Sequence, residues 1–190
     1  PVLENLLPVD DARDLGEALA SARFSFFLER PGPRNIMLRN MGSGRFLPLD
    51  GTHPLSVLRN TYQSAWADFD LDGDPDVYLA NDFAPNTFLR NDGEGRFTDI
   101  TAETGTEDFG FGMGVSWGDY DDDGRPDLYV TNMYSSAGRR IAAVVPDIDE
   151  RIPKAARGNT LFRNTGDGFE RVSSLDDEGL MVERAGWAWG

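Results

Sequence analysis

Two short stretches of this sequence hold aspartates at a spacing that suits a metal ion. Residues 68–76 read DFDLDGDPD and residues 119–127 read DYDDDGRPD, so both follow the pattern D-x-D-x-D-G-x-x-D. The glycine falls at position 6, where a chain that wraps an ion must turn sharply. Ligands that are all oxygen favour Ca²⁺ over zinc or copper. Two calcium sites are predicted, with side-chain ligands at positions 1, 3, 5 and 9 and a backbone carbonyl at position 7: Asp68, Asp70, Asp72, Asp74 and Asp76 in the first, and Asp119, Asp121, Asp123, Arg125 and Asp127 in the second.

The pattern differs from that of an EF-hand loop. An EF-hand has a bidentate glutamate at position 12 and helices on both sides, whereas position 12 here is Leu79 or Val130. Without that glutamate we expect a Kd on the order of 10⁻⁴ to 10⁻³ M, as in extracellular modules. The alternative is an acidic turn without an ion. Five carboxylates within nine residues repel one another unless a cation neutralises them, which favours the calcium site.

The two aspartate stretches belong to a repeat of 51 residues. WADFDLDGDPDVYLAN begins at Trp66 and WGDYDDDGRPDLYVTN begins at Trp117, and residues 27–46 align with residues 78–97 at the same offset. A further copy of the outer half begins at Asn159, and WG at Trp189 opens another. We therefore divide the single domain 1–190 into repeat 1 (about 10–56), repeat 2 (about 57–107), repeat 3 (about 108–179, with an insertion at 135–158) and the start of repeat 4 (180–190).

Each repeat reads as four short β-strands separated by turns rich in Asn, Asp, Gly and Pro. Four strands at a period near 50 residues predict a β-propeller with one blade per repeat, and the small residues of GFGMG (110–114) suit the crowded innermost strand. The expected fold is all-β: a partial β-propeller of about three four-stranded antiparallel blades plus the first strand of a fourth. Closed propellers have four to eight blades. We therefore expect this chain to pack against the remaining blades of a longer parent chain. A β-sandwich of unrelated hairpins is the alternative.

Two segments resist a firm assignment. Residues 10–21 read either as a weak helix or as the first strand of blade one. The insertion 135–158 is predicted to be irregular or to contain a short helix, because Pro146 and Pro153 oppose a long one. In the first repeat the ligand positions of the calcium loop hold other residues, so that blade is predicted to bind no calcium: Glu17, Leu19, Ser21 and Ser25.

The composition excludes several classes of partner. There are 33 acidic and 18 basic residues, a net charge of −15, and such a surface repels nucleic acid and anionic lipid. The absence of cysteine excludes disulfides and thiolate metal sites. No apolar run approaches the ~20 residues of a membrane helix, so membrane insertion is not expected. The sequence opens PVLENLLPVD, without a methionine, and we expect a piece of a longer protein whose export signal lies in the missing part.

Signals for catalysis are weak, and we predict that the chain is not an enzyme. His53 is the single histidine, and the serine-containing stretches VSSLDDEG and MYSSAG lack a G-x-S-x-G motif. The tryptophans could stack on sugars, but their recurrence with the repeat favours packing between blades: Trp66, Trp117, Trp187 and Trp189. The favoured function is a calcium-stabilised recognition scaffold. The alternative is part of a propeller enzyme, polysaccharide-active or quinone-dependent, whose active site lies in missing blades.

A family resemblance supports this interpretation. The stretch DFDLDGDPDVYLAND…NTFLRNDGEGRFTDIT resembles the FG-GAP/VCBS repeats of integrin α-subunit propellers and of many secreted bacterial proteins. The string GFGMGVSWGDYDDDGRPDLYVTNMYSSAG…GNTLFRNTGDGF…GWAWG is similar to the cartilage acidic protein (ASPIC/UnbV) family. The resemblance covers roughly residues 27–190. It implies an exported propeller of about seven blades, secreted, extracellular or periplasmic/cell-surface, in which Ca²⁺ is structural and a protein or glycan ligand is recognised.

Overall fold

The computed structural model describes residues 32–134, 144, 151–173 and 180–184. Within these residues the chain is almost entirely β, apart from a short helix α1 (Arg151–Ala155) and a 3₁₀ turn (Met181–Arg184). Neither of these helical segments has the length or the apolar character needed to cross a membrane. The strands are β1 (Leu38–Asn40), β2 (Phe46–Pro48), β3 (Asn60–Ala67), β4 (Asp76–Pro85), β5 (Thr87–Asn91), β6 (Phe97–Asp99), β7 (Phe109–Gly118), β8 (Asp127–Asn132), β9 (Thr160–Asn164) and β10 (Phe169–Arg171).

These strands form two complete blades and the outer hairpin of a third. The middle blade pairs β3, β4, β5 and β6 in order, and the last blade pairs β7, β8, β9 and β10 in order, all antiparallel. The hairpin β1–β2 belongs to the first blade. Together they form a partial β-propeller, as the sequence predicts.

The 51-residue offset recurs in the pairing register. Trp66 lies opposite Val77 in the middle blade, and Trp117 lies opposite Leu128 in the last blade. In the same way, the pair Leu38 and Pro48 of the first blade corresponds to the pair of Leu89 and Asp99 in the middle one. Because a slip of one residue would turn every side chain to the other face of the sheet, the conserved offset means that each blade presents the same faces to its neighbours.

Strand β4 is buried on both faces because the middle blade, to which it belongs, has another blade on each side. Tyr78 and Ala80 pack in a cluster with residues of the last blade such as Val115 and Phe162. The alternate residues Val77 and Leu79 pack with Leu55, which precedes the middle blade, and beside Met37 of the first. A strand covered on both sides requires apolar residues at every position rather than at alternate ones. The sequence DVYLA meets that requirement.

The innermost strands also form hydrogen bonds between blades. The Nε1–H of Trp117 donates to the carbonyl of Ala65 at 3.3 Å, and Gln63 Oε1 accepts from the N–H of Val115 at 3.1 Å. At Gly112 of β7 an added Cβ would lie 2.8 Å from the carbonyl oxygen of Asn81. The small residues predicted for the innermost strand are therefore explained by close approach of β7 to the neighbouring blade.

The structure describes only part of the segments whose conformation the sequence leaves open. Residues 10–21 and the first-repeat ligand positions lie outside the described residues. Of the insertion, the described part contains the short helix α1, with Pro153 in its first turn where a proline is tolerated. In the segment predicted to open a fourth blade, residues 181–184 form the 3₁₀ turn, and residues 185–190 lie outside the described part of the chain.

Candidate metal centres

Each aspartate loop joins the first strand of a blade to the second, and position 1 organises it. The carboxylate of Asp68 accepts hydrogen bonds from the N–H groups of Asp72 and Gly73, both at 3.0 Å. Asp119 accepts from the corresponding N–H groups in the second loop, those of Asp123 at 3.0 Å and Gly124 at 2.8 Å. The same bonds form in two loops whose residues differ at positions 4 and 7, which indicates that the shared positions of the motif determine the loop conformation.

Two residues in each loop adopt left-handed backbone angles. The predicted one is the glycine at position 6, with φ of 97° at Gly73 and 86° at Gly124. The other is position 4, with φ of 61° at Leu71 and 59° at Asp122. A non-glycine residue in this region carries strain. The sequence gives no signal for this second turn, because leucine and aspartate share no property that would mark it.

The aspartate at position 9 connects the loop to the third strand of its blade through hydrogen bonds. Asp76 is buried, and its carboxylate accepts from the N–H groups of Phe69 at 3.1 Å and Asn91 at 2.8 Å. The carboxylate of Asp127 likewise accepts from two N–H groups, one in its own loop at 3.0 Å and one at the end of β9 at 2.8 Å. The position-9 carboxylate therefore has a structural role that does not depend on an ion.

Three of the predicted side-chain positions come together in each loop. In both groups one carboxylate oxygen from each residue lies within 4.8 Å of the others, and the groups are Asp68, Asp70 and Asp76 in the first loop and Asp119, Asp121 and Asp127 in the second. This all-oxygen donor set fits a hard cation such as Ca²⁺. The position-5 carboxylates lie outside these groups, where Asp72 and Asp123 accept from the N–H of position 7, Asp74 or Arg125, at 2.9 Å.

Burial, with a smaller contribution from the neighbouring negative charges, raises the pKa of two carboxylates in the first loop. Burial raises the pKa of Asp76 to about 6, against the lowering effect of its two N–H donors, and the charges of Asp70 and Asp72 add to the rise. Burial also raises the pKa of Asp70, and the neighbouring charge of Asp72 adds to it. A cation among these oxygens would stabilise the ionised forms and relieve the repulsion.

The two loops differ at position 7. The guanidinium of Arg125 forms an ion pair with Asp123 of its own loop, and its Nε donates to the carbonyl of Asn164 at 3.0 Å. Position 7 of the first loop is Asp74, which adds a negative charge instead. The spacing of the motif predicts only a main-chain ligand at this position, so the neutralisation of part of the second loop by Arg125 was not predicted.

Two other residues considered from the sequence have packing roles. His53 accepts from the N–H of Leu55 through Nδ1 at 3.2 Å, and its Nε2 bonds to the carbonyl of Gly95 at 3.0 Å. With both ring nitrogens bonded to backbone, His53 ties the start of the middle blade to its outer turn. Trp117 lies 5.5 Å from Phe88 between ring centroids, as expected for packing between blades. Trp187 and Trp189 lie outside the described residues.

Comparison with known proteins agrees with this geometry. Residues 68–130 match the family model of the FG-GAP-like repeat. The matched segment begins at the first aspartate of the first loop and ends in β8, so it contains both loops. A stretch of 58 residues is 36% identical to cartilage acidic protein 1 of Xenopus tropicalis, which is 30% of this chain and 9% of the length of that relative. The chain thus spans a small part of the relative that it matches.

Proposed function

We propose that this chain is part of a calcium-binding FG-GAP/VCBS-type propeller, related to the cartilage acidic protein (ASPIC/UnbV) family. Its proposed role is a scaffold for recognition of, or adhesion to, a protein or glycan ligand outside the cell. The observation that carries the proposal is the convergence of three carboxylate oxygens within 4.8 Å in each of two loops at the same register. The FG-GAP-like repeat supports it, because the matched segment includes both groups.

In this proposal calcium is structural. A bound Ca²⁺ neutralises the carboxylates and links the residues that coordinate it. The side chains of Asp70 and Asp121, at the centre of each loop, are then joined to the position-9 carboxylates, which are already fastened to the third strand of the blade. The ion would therefore cross-link three strands at one edge of each blade.

The expected affinity agrees with an extracellular location. For loops without the bidentate glutamate we expect a Kd on the order of 10⁻⁴ to 10⁻³ M, the range of extracellular calcium modules, which suits the calcium level outside cells. We also propose that the chain has no catalytic activity. The remaining blades of the propeller would belong to the longer parent chain. Turnover of a polysaccharide by the full-length parent would contradict it, and saturable binding without turnover would support it.

The first test is a thermal melt of the chain in excess calcium and in EGTA. At calcium concentrations of ten to a hundred times Kd, each site should stabilise the fold by about 1.4 to 2.7 kcal/mol, so the midpoint should rise clearly. Calorimetric titration should count two sites. The control is the double variant Asp70→Asn and Asp121→Asn, whose midpoint should be the same in both conditions. An unchanged midpoint in a chain that circular dichroism shows to be folded would contradict calcium binding.

The arginine of the second loop predicts two unequal sites. Arg125 neutralises Asp123, so we expect the second site to be the weaker one. Arg125→Ala should tighten it by roughly fivefold, equivalent to about 1 kcal/mol, because one repelling charge near the ion is removed. The measurement is calorimetry in an Asp70→Asn background, where only the second site titrates. The matched variant is Asp74→Arg, measured in an Asp121→Asn background, which should weaken the first site. Unchanged Kd values in both would show that position 7 does not influence the ion.

A further inference from the structure

The two aspartate loops belong to neighbouring blades, and a buried side chain joins them. Asn164 lies at the end of β9, and its Nδ2 donates to the carbonyl oxygen of Phe69 at 2.9 Å. Phe69 occupies position 2 of the first loop, between Asp68 and Asp70. The bonded residues are 95 positions apart in the sequence. This hydrogen bond therefore connects the last blade to the aspartate loop of the middle blade.

The other polar groups of Asn164 hold the second loop. Its N–H donates to Asp127 at 2.8 Å, and its carbonyl oxygen accepts from Nε of Arg125 at 3.0 Å. Its Nδ2 also donates to the carbonyl of Pro126 at 3.2 Å, and its Oδ1 accepts from the N–H of Gly166 at 2.9 Å. Asn164 is thus bonded to positions 7, 8 and 9 of the second loop and to position 2 of the first.

Three hydrogen bonds through two residues link one candidate metal centre to the other. In the first loop the N–H of Phe69 donates to Asp76 at 3.1 Å. The carbonyl of Phe69 accepts from Asn164, whose own N–H donates to Asp127. Asp76 and Asp127 are the position-9 carboxylates, and each belongs to the group of three in its loop. Hydrogen bonds in a connected network can strengthen one another.

The side chain of Phe69 also lies between the two blades. Its ring centroid is 4.8 Å from that of Phe88 in its own blade and 5.9 Å from that of Phe169 in the last blade. Tyr120, at position 2 of the second loop, is exposed instead. A shift of Phe69 would disturb contacts in both blades, so the conformation of the first loop is linked to the packing of the last blade.

A cation in the first loop would favour the geometry that keeps this connection intact. Without a cation, the carboxylates of Asp68 and Asp70 repel each other on either side of Phe69. A cation that draws them together holds the Phe69 carbonyl where Asn164 donates to it. Asn164 then orients Asp127 before the second ion arrives, which lowers the entropic cost of binding there. By linkage, an ion in the second loop must favour binding to the first by the same factor.

We propose that the two calcium sites bind cooperatively and that Asn164 transmits the coupling between the blades. The proposal rests on the calcium binding proposed above, and it adds that calcium ties the middle blade to the last one. The opposing effect is repulsion between the two bound cations, which salt screens over about 8 Å at about 0.15 M. We therefore expect positive coupling of about tenfold at that ionic strength, within the range usual for coupled sites.

The test is calorimetric titration with calcium in about 0.15 M salt. Asp121→Asn leaves only the first site and Asp70→Asn leaves only the second, so these variants give the two single-site association constants. In the unchanged chain the product of the two stepwise association constants should exceed the product of the single-site constants by about tenfold. The same three measurements in an Asn164→Ala background should give a ratio near one.

The matched control is Asn91→Ala in the middle blade. Asn91 ends β5, as Asn164 ends β9, and its N–H donates to Asp76 at 2.8 Å. Its side chain bonds to the carbonyl of Pro75 at 3.2 Å and to the N–H of Gly93 at 3.1 Å, without a bond to another loop among the described residues. The substitution removes the same kind of bonds within one blade, so the ratio should stay near tenfold.

A second measurement keeps Asn164 in place. In Asp121→Asn only the first site fills, and we expect the side-chain amide signals of Asn164 in NMR spectra to shift with calcium at the Kd of that site. The amide belongs to the other blade, so the shift would report the connection directly. If Asn164→Ala does not fold, this measurement decides, and signals that do not respond to calcium overturn the proposal.

The outcomes separate this proposal from the one on which it rests. Two sites that bind independently in the unchanged chain overturn the coupling and leave calcium binding supported. Failure of either loop to bind calcium contradicts the proposed function, which requires two sites, and the coupling with it. A ratio that stays near tenfold in Asn164→Ala, or that falls equally in Asn91→Ala, overturns the role of Asn164.

Discussion

Replacing Asp127 by alanine should destabilise the chain by about 4 kcal/mol in chelator, and by more in calcium, because the second metal site loses a ligand as well. Its carboxylate accepts from the N–H groups of Tyr120 at 3.0 Å and Asn164 at 2.8 Å, and the residue is buried. Alanine would leave both backbone donors without an acceptor. Each hydrogen bond to a charged group contributes about 1.5 to 3 kcal/mol, so two of them account for the expected loss.

The matched control for this prediction is Asp121→Ala in the same loop. Asp121 is exposed and contributes an oxygen to the carboxylate group, but its side chain forms no hydrogen bond among the described residues. Its substitution should lower stability only in calcium, by the 1.4 to 2.7 kcal/mol or so that one occupied site provides. Urea unfolding of both variants, with and without EGTA, separates the structural carboxylate from the one that acts through the ion.

A milder substitution at Asp127 still tests the prediction if the alanine variant does not fold. Asp127→Asn retains one side-chain oxygen, which can accept from one of the two N–H groups, so it should lose about half as much stability. If Asp127→Ala were as stable in chelator as the unchanged chain, the position-9 carboxylate would not fasten the loop to β9. If Asp121→Ala lost stability equally in both conditions, its role would be in the fold itself.

The strands and their order could be predicted from the sequence because the repeat carries redundant information. Alternating and continuous apolar runs define β4 and β8, and turn residues separate them. The recurrence of Trp66 at Trp117 then gives both blades the same register between their first and second strands. What the sequence could not give was the length of the outer strands, since β6 and β10 have only three residues each. Their ends depend on how neighbouring blades cover them.

The candidate site was only partly predictable for a related reason. Spacing of the aspartates identifies the loop and its glycine, because both follow from local backbone geometry. The spacing does not show that the carboxylates at positions 1, 3 and 9 come together while the one at position 5 lies apart. That difference depends on which carboxylate oxygen accepts from which N–H group in the folded loop. The ion pair of Arg125 with Asp123 is likewise a matter of side-chain direction. A cavity at the opposite edge of the blades, between the β4–β5 turn, α1 and β10, was not predicted at all, because its lining residues come from five separate segments of the chain.

The second large effect is expected at Gly158, at the end of the insertion. Its φ is 101°, and an added Cβ would overlap the carbonyl oxygen of Glu183 and lie 2.9 Å from its carbonyl carbon. The obstacle is backbone, so no side-chain rotation can relieve it. Gly158→Ala should therefore destabilise the chain by about 3 kcal/mol. It should also displace Glu183, whose carboxylate forms ion pairs with Arg157 and Arg171.

The matched control is Gly118→Ala at the end of β7. An added Cβ at Gly118 meets nothing within 4 Å, and its φ is not left-handed, so the change in stability should stay within about 0.5 kcal/mol. Urea unfolding of both variants measures the difference. Equal stability of the two variants would mean that the segment 180–184 does not pack against Gly158.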